Sequence, residues 1–258
     1  MNDQENFFYK YKTIDEENID RARRIFTHNE LYFSSKNQFN DPFDCKFNFS
    51  FNANDQEINE YLHRELTRIH PQLSRIEKRQ KISEYRNLLK RNDTTFLKNL
   101  KNRFEETRSE IGICSLSRVP DDILMWSHYA DSHKGFCIKL LDDGKEMFIA
   151  RAMEIKYSEH YPIVNLITED YKTRFTKTLL TKSKHWEYEK EWRIIDHENM
   201  PGIQRFPPRL LVGVIFGCRM SEKHKGLMRE WCANHKTDIS FYQAREASGA
   251  YSLEITKL

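Results

Sequence analysis

The feature that most constrains the fold is a long glycine-free segment between two regions with strand-like patterns. Residues 55–110 hold no glycine and a single proline, and they are dense in Lys, Arg and Glu. Their apolar residues recur at helical spacing, as at Ile58, Leu62 and Leu66, which is typical of amphipathic helices. We therefore predict two or three helices here, forming an insertion or a lid within a single α+β domain of residues 1–258.

The regions on either side of this segment favour a sheet. Aromatic and basic residues alternate near the start of the chain, and a later apolar run is typical of a buried strand. The predicted strands cover residues 8–12, 31–34, 47–51, 111–116, 135–140, 148–157, 186–195 and 210–216, and the tail adds strands at 239–241 and 251–255. The predicted helices outside the insertion cover residues 19–28, 121–131, 168–184 and 222–235. The fold class that follows is α+β, with a mixed or antiparallel central sheet and the charged helical insertion.

Composition excludes several classes of protein. No apolar run approaches the roughly 20 residues of a membrane span, and residues 1–6 lack the basic start and apolar stretch of a signal peptide. The five cysteines are never spaced C-x-x-C, which speaks against a disulfide framework or a zinc finger. We therefore expect a cytoplasmic protein with no membrane partner. The net charge of +3 is small, so strong nucleic-acid binding by the whole surface is not expected, although a local basic patch stays open.

The first candidate site is the turn-rich segment of residues 39–44, with the sequence FNDPFD. Pro42 restricts the residue before it to extended geometry, and Asn and Asp bond their own backbone. Carboxylates and an amide in a stiff turn can bind a cation or a polar ligand, so Asn40 and Asp41 are candidate substrate-binding residues. The alternative is a structural turn that the flanking phenylalanines anchor in the core.

The second candidate site is the segment of residues 125–135, with the sequence MWSHYADSHKG. His128 is a candidate general base, because the ordinary pKa of histidine lies near physiological pH. Trp126 and Tyr129 are candidate substrate-binding residues; alternatively, both pack in the core and His128 satisfies a buried partner. The spacing of His128, Asp131 and His133 matches no zinc signature, so we expect no metal.

The third candidate site is the predicted strand that contains residues 186–194. Alternation along a strand places four charged residues on one face: Glu187, Glu189, Glu191 and Arg193. A row of three carboxylates is costly unless cations or solvent balance it. If this face lines a cleft, one Glu is a candidate for catalysis or for binding a sugar hydroxyl; if it faces water, it is an ordinary solvated face.

These motifs together resemble the bacterial domain-of-unknown-function family 2971. The start of that family is similar to residues 9–11 and 31–44, its central motif to residues 114–117 and 125–135, and its late motif to residues 189–193. The resemblance spans roughly residues 7–220. It implies little about activity, because the family name records that no activity is established.

A weaker analogy connects the order of elements with ADP-ribosyltransferase folds, and it makes NAD the candidate substrate. The analogy implies that Glu191 or Glu189 stabilises positive charge at the anomeric carbon, the logic of sugar transfer in general. It also implies that Tyr129 or His128 lies near the nicotinamide. The first strand departs from those enzymes, because it offers tyrosines and a lysine where they carry His or Arg. A Gly-rich phosphate loop of the Rossmann type is absent from the sequence.

Three functions remain open at this point. The first is an NAD-using transferase or glycohydrolase, in which Arg193 or Lys10 grips phosphate. The second is a non-catalytic binding or sensing module, for example in phage defence, whose 55–110 helices contact a protein or nucleic-acid partner; the alternative there is a solvated helical face. The third is a metal-dependent hydrolase or nuclease that uses Asp41, Asp44, His128 and Glu residues, since two-metal sites need clustered carboxylates. The candidate catalytic residues are Glu191, His128 and Glu189, and the candidate substrate-binding residues are Lys10, Tyr11, Asn40, Asp41, Trp126, Tyr129 and Arg193.

Overall fold

The structure, a computed structural model, describes residues 7–109, 111–196 and 201–258. Its strands are β1 Phe7–Lys12, β2 Glu30–Phe33, β3 Asn48–Ser50, β4 Gly112–Ser117, β5 Phe136–Leu141, β6 Met153–Glu154, β7 Lys156–Ser158, β8 Ile163–Asn165, β9 Thr181–Ser183, β10 Glu191–Asp196, β11 Gly202–Arg205, β12 Leu211–Phe216, β13 Ser240–Glu246 and β14 Leu253–Lys257. Its α-helices are α1 Ile19–Thr27, α2 Asp55–Ile69, α3 Arg75–Lys90, α4 Thr94–Ser109, α5 Ile123–Tyr129, α6 Met147–Ala150, α7 Tyr171–Leu179 and α8 Glu222–Cys232. This content confirms the predicted α+β class.

The chain divides into two compact units. The first unit comprises residues 1–38, 111–155 and 184–258, and the second comprises residues 39–110 and 156–183. The predicted helical insertion of residues 55–110 lies entirely in the second unit. This unit also includes residues 39–54 and 156–183. A role of this unit as a lid stays a prediction.

The first unit is built on an eight-stranded sheet with the strand order β14-β13-β12-β5-β1-β4-β10-β6. Strands β12 and β13 run parallel, and the other neighbours run antiparallel. The sheet is therefore mixed, as predicted. Strands β2 and β11 form a separate antiparallel ladder.

The two faces of this sheet carry different hydrophobic clusters, because successive side chains of a strand point to opposite faces. On one face, Phe8 of β1 packs with Phe26 of α1 and Met228 of α8; we call it the α1 face. On the other, Tyr9 and Tyr11 of β1 pack in a cluster with α5 residues; we call it the α5 face. Burying this apolar surface, at about 25 cal/mol per Å², holds the elements of the first unit together.

The second unit contains three long helices over residues 55–109, in agreement with the two or three predicted there. Helix α2 begins at a capping box formed by Asn54 and Glu57, and α3 begins at one formed by Ser74 and Glu77; such boxes satisfy backbone N–H groups that a helix start leaves unpaired. The buried side chains that hold the helices together are Ile58, Tyr61, Leu62, Leu66, Ile82, Leu89 and Ile167. Two short parallel ladders, β3 with β8 and β7 with β9, complete the unit.

Two predicted elements are wrong in their bounds. The helix predicted over 168–184 is the shorter α7, which begins where the Asp170 side chain accepts a hydrogen bond from the Thr173 N–H, and β9 follows it. The strand predicted over 148–157 starts instead with α6. There the N–H groups of Ile149 and Ala150 donate to the Glu146 carbonyl and close a helical turn.

Two exclusions drawn from composition also bear on the structure. Among the described residues, no helix combines the length and the apolar character needed to cross a membrane. The five cysteines are free thiols, and all except Cys218 are buried. Burial raises the pKa of the Cys137 thiol well above its ordinary value, which suits a packed side chain rather than a nucleophile.

Candidate active site

Three neighbouring strands place a tyrosine, a serine and a glutamate in one row on the α5 face. In the strand order β1-β4-β10, Tyr9 lies opposite Ser117, and Ser117 lies opposite Glu191. Residues in register across a sheet share a face, so the row follows from the topology. All three side chains are buried.

Glu191 is held in a buried ion pair with Arg193, two residues further along β10. The Nε of Arg193 donates to one carboxylate oxygen of Glu191 at 2.7 Å, and Nη2 donates to the other at 3.2 Å. Arg193 has no exposed surface, and Glu191 is 3% exposed. A paired guanidinium balances the charge of this carboxylate, and breaking an ion pair in the interior is costly.

Glu189 lies just before β10 in a different local structure. The Tyr129 hydroxyl donates to Oε1 of Glu189 at 2.7 Å, and the Ser117 hydroxyl donates to the Glu189 carbonyl at 2.6 Å. Glu189 is 3% exposed. Two neighbouring elements thus fix both the backbone and the carboxylate of this residue.

The strand predicted over 186–195 is wrong in its first half. Residues Lys184–Glu189 form a 3-10 helix, and Lys190 adopts a left-handed conformation with φ of 44°. The Lys190 N–H donates to the Glu187 carbonyl and closes this turn. The turn leaves Glu187 exposed while the two later glutamates are buried. The predicted row of three carboxylates on one strand face therefore does not form.

Partly exposed aromatic rings adjoin Glu189. We define the aromatic cluster as His128, Tyr129, Trp186 and Tyr188. The His128 ring lies 5.9 Å from that of Trp186 and 6.2 Å from that of Tyr129, and the rings of Trp186 and Tyr188 lie 6.0 Å apart. His128 is exposed and the other three are half-buried. Such a cluster offers ring faces and edges to a planar ligand.

The Tyr188 hydroxyl stays protonated at physiological pH. Partial burial, with the nearby carboxylates of Glu189 and Asp122, raises its pKa to about 12. A neutral phenol keeps its O–H as a hydrogen-bond donor. The aromatic cluster therefore presents a donor close to the Glu189 carboxylate.

Three of the predicted binding residues serve internal contacts. The Tyr11 hydroxyl donates to the Val119 carbonyl at 2.7 Å, and the Trp126 indole N–H donates to the Pro120 carbonyl at 2.8 Å. Lys10 donates to the Ser115 carbonyl at 2.6 Å. By alternation along β1, Lys10 points to the α1 face. The structure therefore does not bring it to the face that carries Glu191.

Asn40 and Asp41 belong to the second unit and form a closed turn there. The Asp41 carboxylate accepts a hydrogen bond from the Phe43 N–H at 2.8 Å, and the Asp44 N–H donates to the Asp41 carbonyl. Asn40 is exposed. These contacts are those of the structural turn that the sequence left as an alternative, and a binding role for Asn40 and Asp41 stays a prediction.

A strained turn follows α5 and carries the remaining histidine of the central motif. Asp131, Ser132 and His133 have φ of 45°, 51° and 68°, a conformation that side chains disfavour. Gly135 ends this turn at a close approach, since a Cβ there would lie 2.2 Å from the Lys12 carbonyl oxygen. The central motif thus encodes a tight connection between α5 and β5.

Sequence reasoning missed four residues that the structure brings to this site: Tyr9, Ser117, Trp186 and Tyr188. Alternation along β1 already places Tyr9 on the same face as Tyr11, a predicted binding residue. The sequence therefore contained a signal for Tyr9. Trp186 and Tyr188 lie inside the third candidate motif. The position of Ser117 depends on which strand pairs with β10, and nothing in the local sequence specifies that partner.

The metal-ligand hypothesis gains no support from the described residues. Within residues 7–109, 111–196 and 201–258, no three His, Cys, Asp or Glu side chains group as metal ligands do. Asp41 and Asp44 belong to one compact unit and His128 to the other. A metal-dependent hydrolase or nuclease therefore stays a prediction.

Comparisons with known proteins identify one family. Residues 125–194 match the family model described as Protein of unknown function (DUF2971). No curated protein and no solved structure matches the chain. The matched segment contains the aromatic cluster, both buried glutamates and Arg193, so the predicted resemblance is confirmed over the residues that build this site. Residues 125–194 are thus similar to the DUF2971 family of proteins of unknown function.

Proposed function

We propose that the first unit is an enzyme that cleaves the bond between a ribose and a nitrogen base in a nucleotide such as NAD. It would act as an ADP-ribosyltransferase-like transferase or as a glycohydrolase. The observation that carries this proposal is the Glu189 carboxylate, which Tyr129 holds at 2.7 Å beside a partly exposed aromatic cluster. A fixed carboxylate next to a platform for a planar ring fits a substrate that joins a ring to a sugar.

The reaction assigned to this site breaks the bond between the anomeric carbon and the nicotinamide nitrogen. The bonding electron pair leaves with the nitrogen as neutral nicotinamide, and positive charge develops on the anomeric carbon. Glu189 stabilises that charge, an electrostatic contribution that is large in a water-poor site. Water or an acceptor hydroxyl then adds to the carbon, and His128 accepts its proton.

Glu189 suits this role better than Glu191. Both oxygens of Glu191 accept hydrogen bonds from Arg193, so an adjacent cation already balances its charge. Glu189 adjoins the aromatic cluster, and the Tyr129 hydroxyl of that cluster donates to its Oε1. We therefore assign Glu189 as the reacting carboxylate and Glu191 as the residue that keeps Arg193 in place. The phosphate-gripping roles first considered for Arg193 and Lys10 are not part of this proposal.

The neighbouring strands β1, β4 and β10 add support from topology, because Glu189 lies just before β10 and the Ser117 hydroxyl of β4 donates to its carbonyl. ADP-ribosyltransferase folds were expected to place their key residues on a first, a middle and a late strand, and here three such strands are neighbours. This is an argument from fold analogy. The analogy favours NAD as the nucleotide substrate. A cytoplasmic location, where NAD is plentiful, stays a prediction.

The test is to incubate the purified protein with NAD and follow nicotinamide by chromatography. We expect the wild-type protein to release nicotinamide and Glu189→Gln to lose at least about a hundredfold in rate. Glu187→Gln is the matched control, since it makes the same chemical change on an exposed side chain. The proposal is abandoned if neither NAD turnover nor a rise in melting temperature with NAD is detected.

A second candidate is a non-catalytic binding module, with a role in phage defence as one setting. The charge distribution favours it, because the second unit holds 19 Lys and Arg against 15 Asp and Glu, a net charge of +4. The first unit holds 23 against 24, a net charge of −1. A net positive charge on the helical unit suits an anionic partner. Binding to such a partner, with NAD turnover absent, would select this function.

A further inference from the structure

A row of aromatic side chains in the second unit forms a surface that the proposed reaction does not use. We define the phenylalanine ladder as Phe47, Phe49, Phe51 and Phe104. The first three lie at alternate positions in and beside β3, so they share a face, and the fourth comes from α4. Ring centroids lie 4.9 Å apart for Phe47 and Phe49, 6.2 Å for Phe49 and Phe51, and 5.7 Å for Phe47 and Phe104.

The ladder rings are accessible to a ligand in part. Each of the four phenylalanines is half-buried. Phe49 and Phe51 are stacked with only 13° between their planes. Phe51 also packs against the neighbouring core that contains Ile58 and Leu62, and its ring nevertheless stays partly exposed. The surface therefore presents aromatic groups side by side.

Positive charges lie directly against the ladder. The Lys101 ammonium is 5.2 Å from the ring centroid of Phe49 and 5.8 Å from that of Phe51. The Arg174 guanidinium is 5.9 Å from the centroid of Phe104. Arg108 lies 4.6 Å from Phe47, but it is buried and donates to the Thr178 carbonyl, so it supports the ladder from within. Lys101 and Arg174 are half-buried and retain solvent contact.

We propose that the phenylalanine ladder binds a single-stranded polynucleotide. Every base has a flat face that stacks on an aromatic side chain, while Lys101 and Arg174 meet the phosphates, and this combination is the one that binds single strands with little sequence preference. The net charge of +4 on this unit draws in a polyanion. A duplex keeps its base faces inside the stack and offers the ladder nothing to stack on. The proposal is independent of NAD turnover in the first unit.

The test measures fluorescence anisotropy of labelled oligonucleotides of about 12 nucleotides, within the range that one single-strand site covers. The full chain is titrated at low salt against oligo(U), oligo(dT) and a duplex of equal length. We expect the single strands to bind and the duplex to bind at least tenfold more weakly. The two single-stranded arms show whether RNA or DNA is preferred.

Variants then assign the binding to the ladder. Phe49→Leu and Phe51→Leu keep apolar volume and remove the ring face, and each should weaken binding at least about fivefold. Lys101→Gln should weaken binding and lower the slope of log affinity against log salt by about 0.7. Lys81→Gln is the matched control, because this lysine also lies over a ring, that of Tyr85 at 5.7 Å, outside the ladder.

The proposal fails if no single strand binds at low salt, or if the duplex binds as tightly as the single strands. It also fails if Lys81→Gln weakens binding as much as Lys101→Gln. Melting temperatures establish that each variant is folded. If a phenylalanine variant does not fold, Lys101→Gln decides the question, because this substitution removes no ring. Binding to a protein in place of any oligonucleotide would assign the ladder to another class of partner and overturn the proposal.

Discussion

At the scale of single residues, the site depends on Glu189 and Glu191, which are separated by one residue and lie in different surroundings. Glu191 pairs with a buried guanidinium, and Glu189 accepts from the Tyr129 hydroxyl of the aromatic cluster. Substitution of each glutamate therefore tests a different contact.

Glu191→Gln should act mainly on stability. The substitution removes the charge of the carboxylate that accepts from Nε and Nη2 of Arg193, and breaking a buried pair costs about 3–5 kcal/mol. We expect a loss of that size in the free energy of unfolding, measured by urea denaturation. Glu187→Gln, on an exposed side chain, should change it by less than about 0.5 kcal/mol. A Glu191→Gln protein as stable as the wild type would contradict the structural role.

Tyr129→Phe should act mainly on turnover. It removes the hydrogen bond that positions the Glu189 carboxylate, and bonds to charged groups contribute about 1.5–3 kcal/mol. We expect NAD turnover to fall about tenfold or more while the protein stays folded. Tyr32→Phe, which removes a hydroxyl bonded to Gln38 elsewhere in the first unit, should leave turnover unchanged. Equal losses in both variants would show that positioning by Tyr129 is not specific.

Lys12 on β1 should make stability depend on pH. Burial, followed by the charge of Lys10, lowers its pKa from 10.5 to about 8. Below pH 8 both folded and unfolded chains are charged at Lys12, so the folded state bears the full cost, at most about 3 kcal/mol. Between pH 8 and 10.5 the folded state loses the proton first, and the cost disappears.

Lys12→Met should therefore be more stable than the wild type at pH 7. The advantage should shrink as the pH rises above 8, at up to about 1.4 kcal/mol per pH unit. Denaturation of both proteins at several pH values measures the difference, which cancels the titration of other groups. A constant difference from pH 7 to 9.5 would contradict a depressed pKa for Lys12.

At the scale of elements, periodicity located most strands and helices, and it failed where backbone turns decide the structure. The alternation at Phe8–Lys12 correctly predicted β1, and helical spacing predicted α2. The run 186–195 reads as one alternating strand, yet the left-handed Lys190 divides it. A non-glycine residue with positive φ leaves no mark in hydrophobic patterning, so this error was not avoidable from the pattern.

The connection between α5 and β5 gives a prediction at this scale. Gly135→Ala would place a Cβ 2.2 Å from the Lys12 carbonyl oxygen and 3.0 Å from the Ala130 backbone. We expect a loss of at least about 2 kcal/mol, because the backbone must shift. Gly226→Ala is the control, since nothing lies near its Cβ within α8 and alanine favours helix by about 1 kcal/mol. A stable Gly135→Ala protein would show that the close approach is not required.

At the scale of the whole molecule, composition and motifs predicted the α+β class and the resemblance to the DUF2971 family. The strand topology determined which other residues lie beside the predicted ones. Glu189, Glu191, His128 and Tyr129 were candidates from sequence. Their neighbour Ser117 emerged only because β4 pairs with β10, a contact between residues about 70 positions apart. The second unit also gathers segments from both sides of β4, which a linear reading of residues 55–110 did not predict.

The most direct measurement compares nicotinamide release from NAD by Glu189→Gln and Glu191→Gln, each normalised to its folded fraction. The account predicts that Glu189→Gln is folded and at least about a hundredfold slower than the wild type. It predicts that Glu191→Gln is unstable but turns over NAD at a rate close to that of the wild type per folded molecule. A folded Glu189→Gln protein with wild-type turnover would contradict the assignment of Glu189 as the reacting carboxylate.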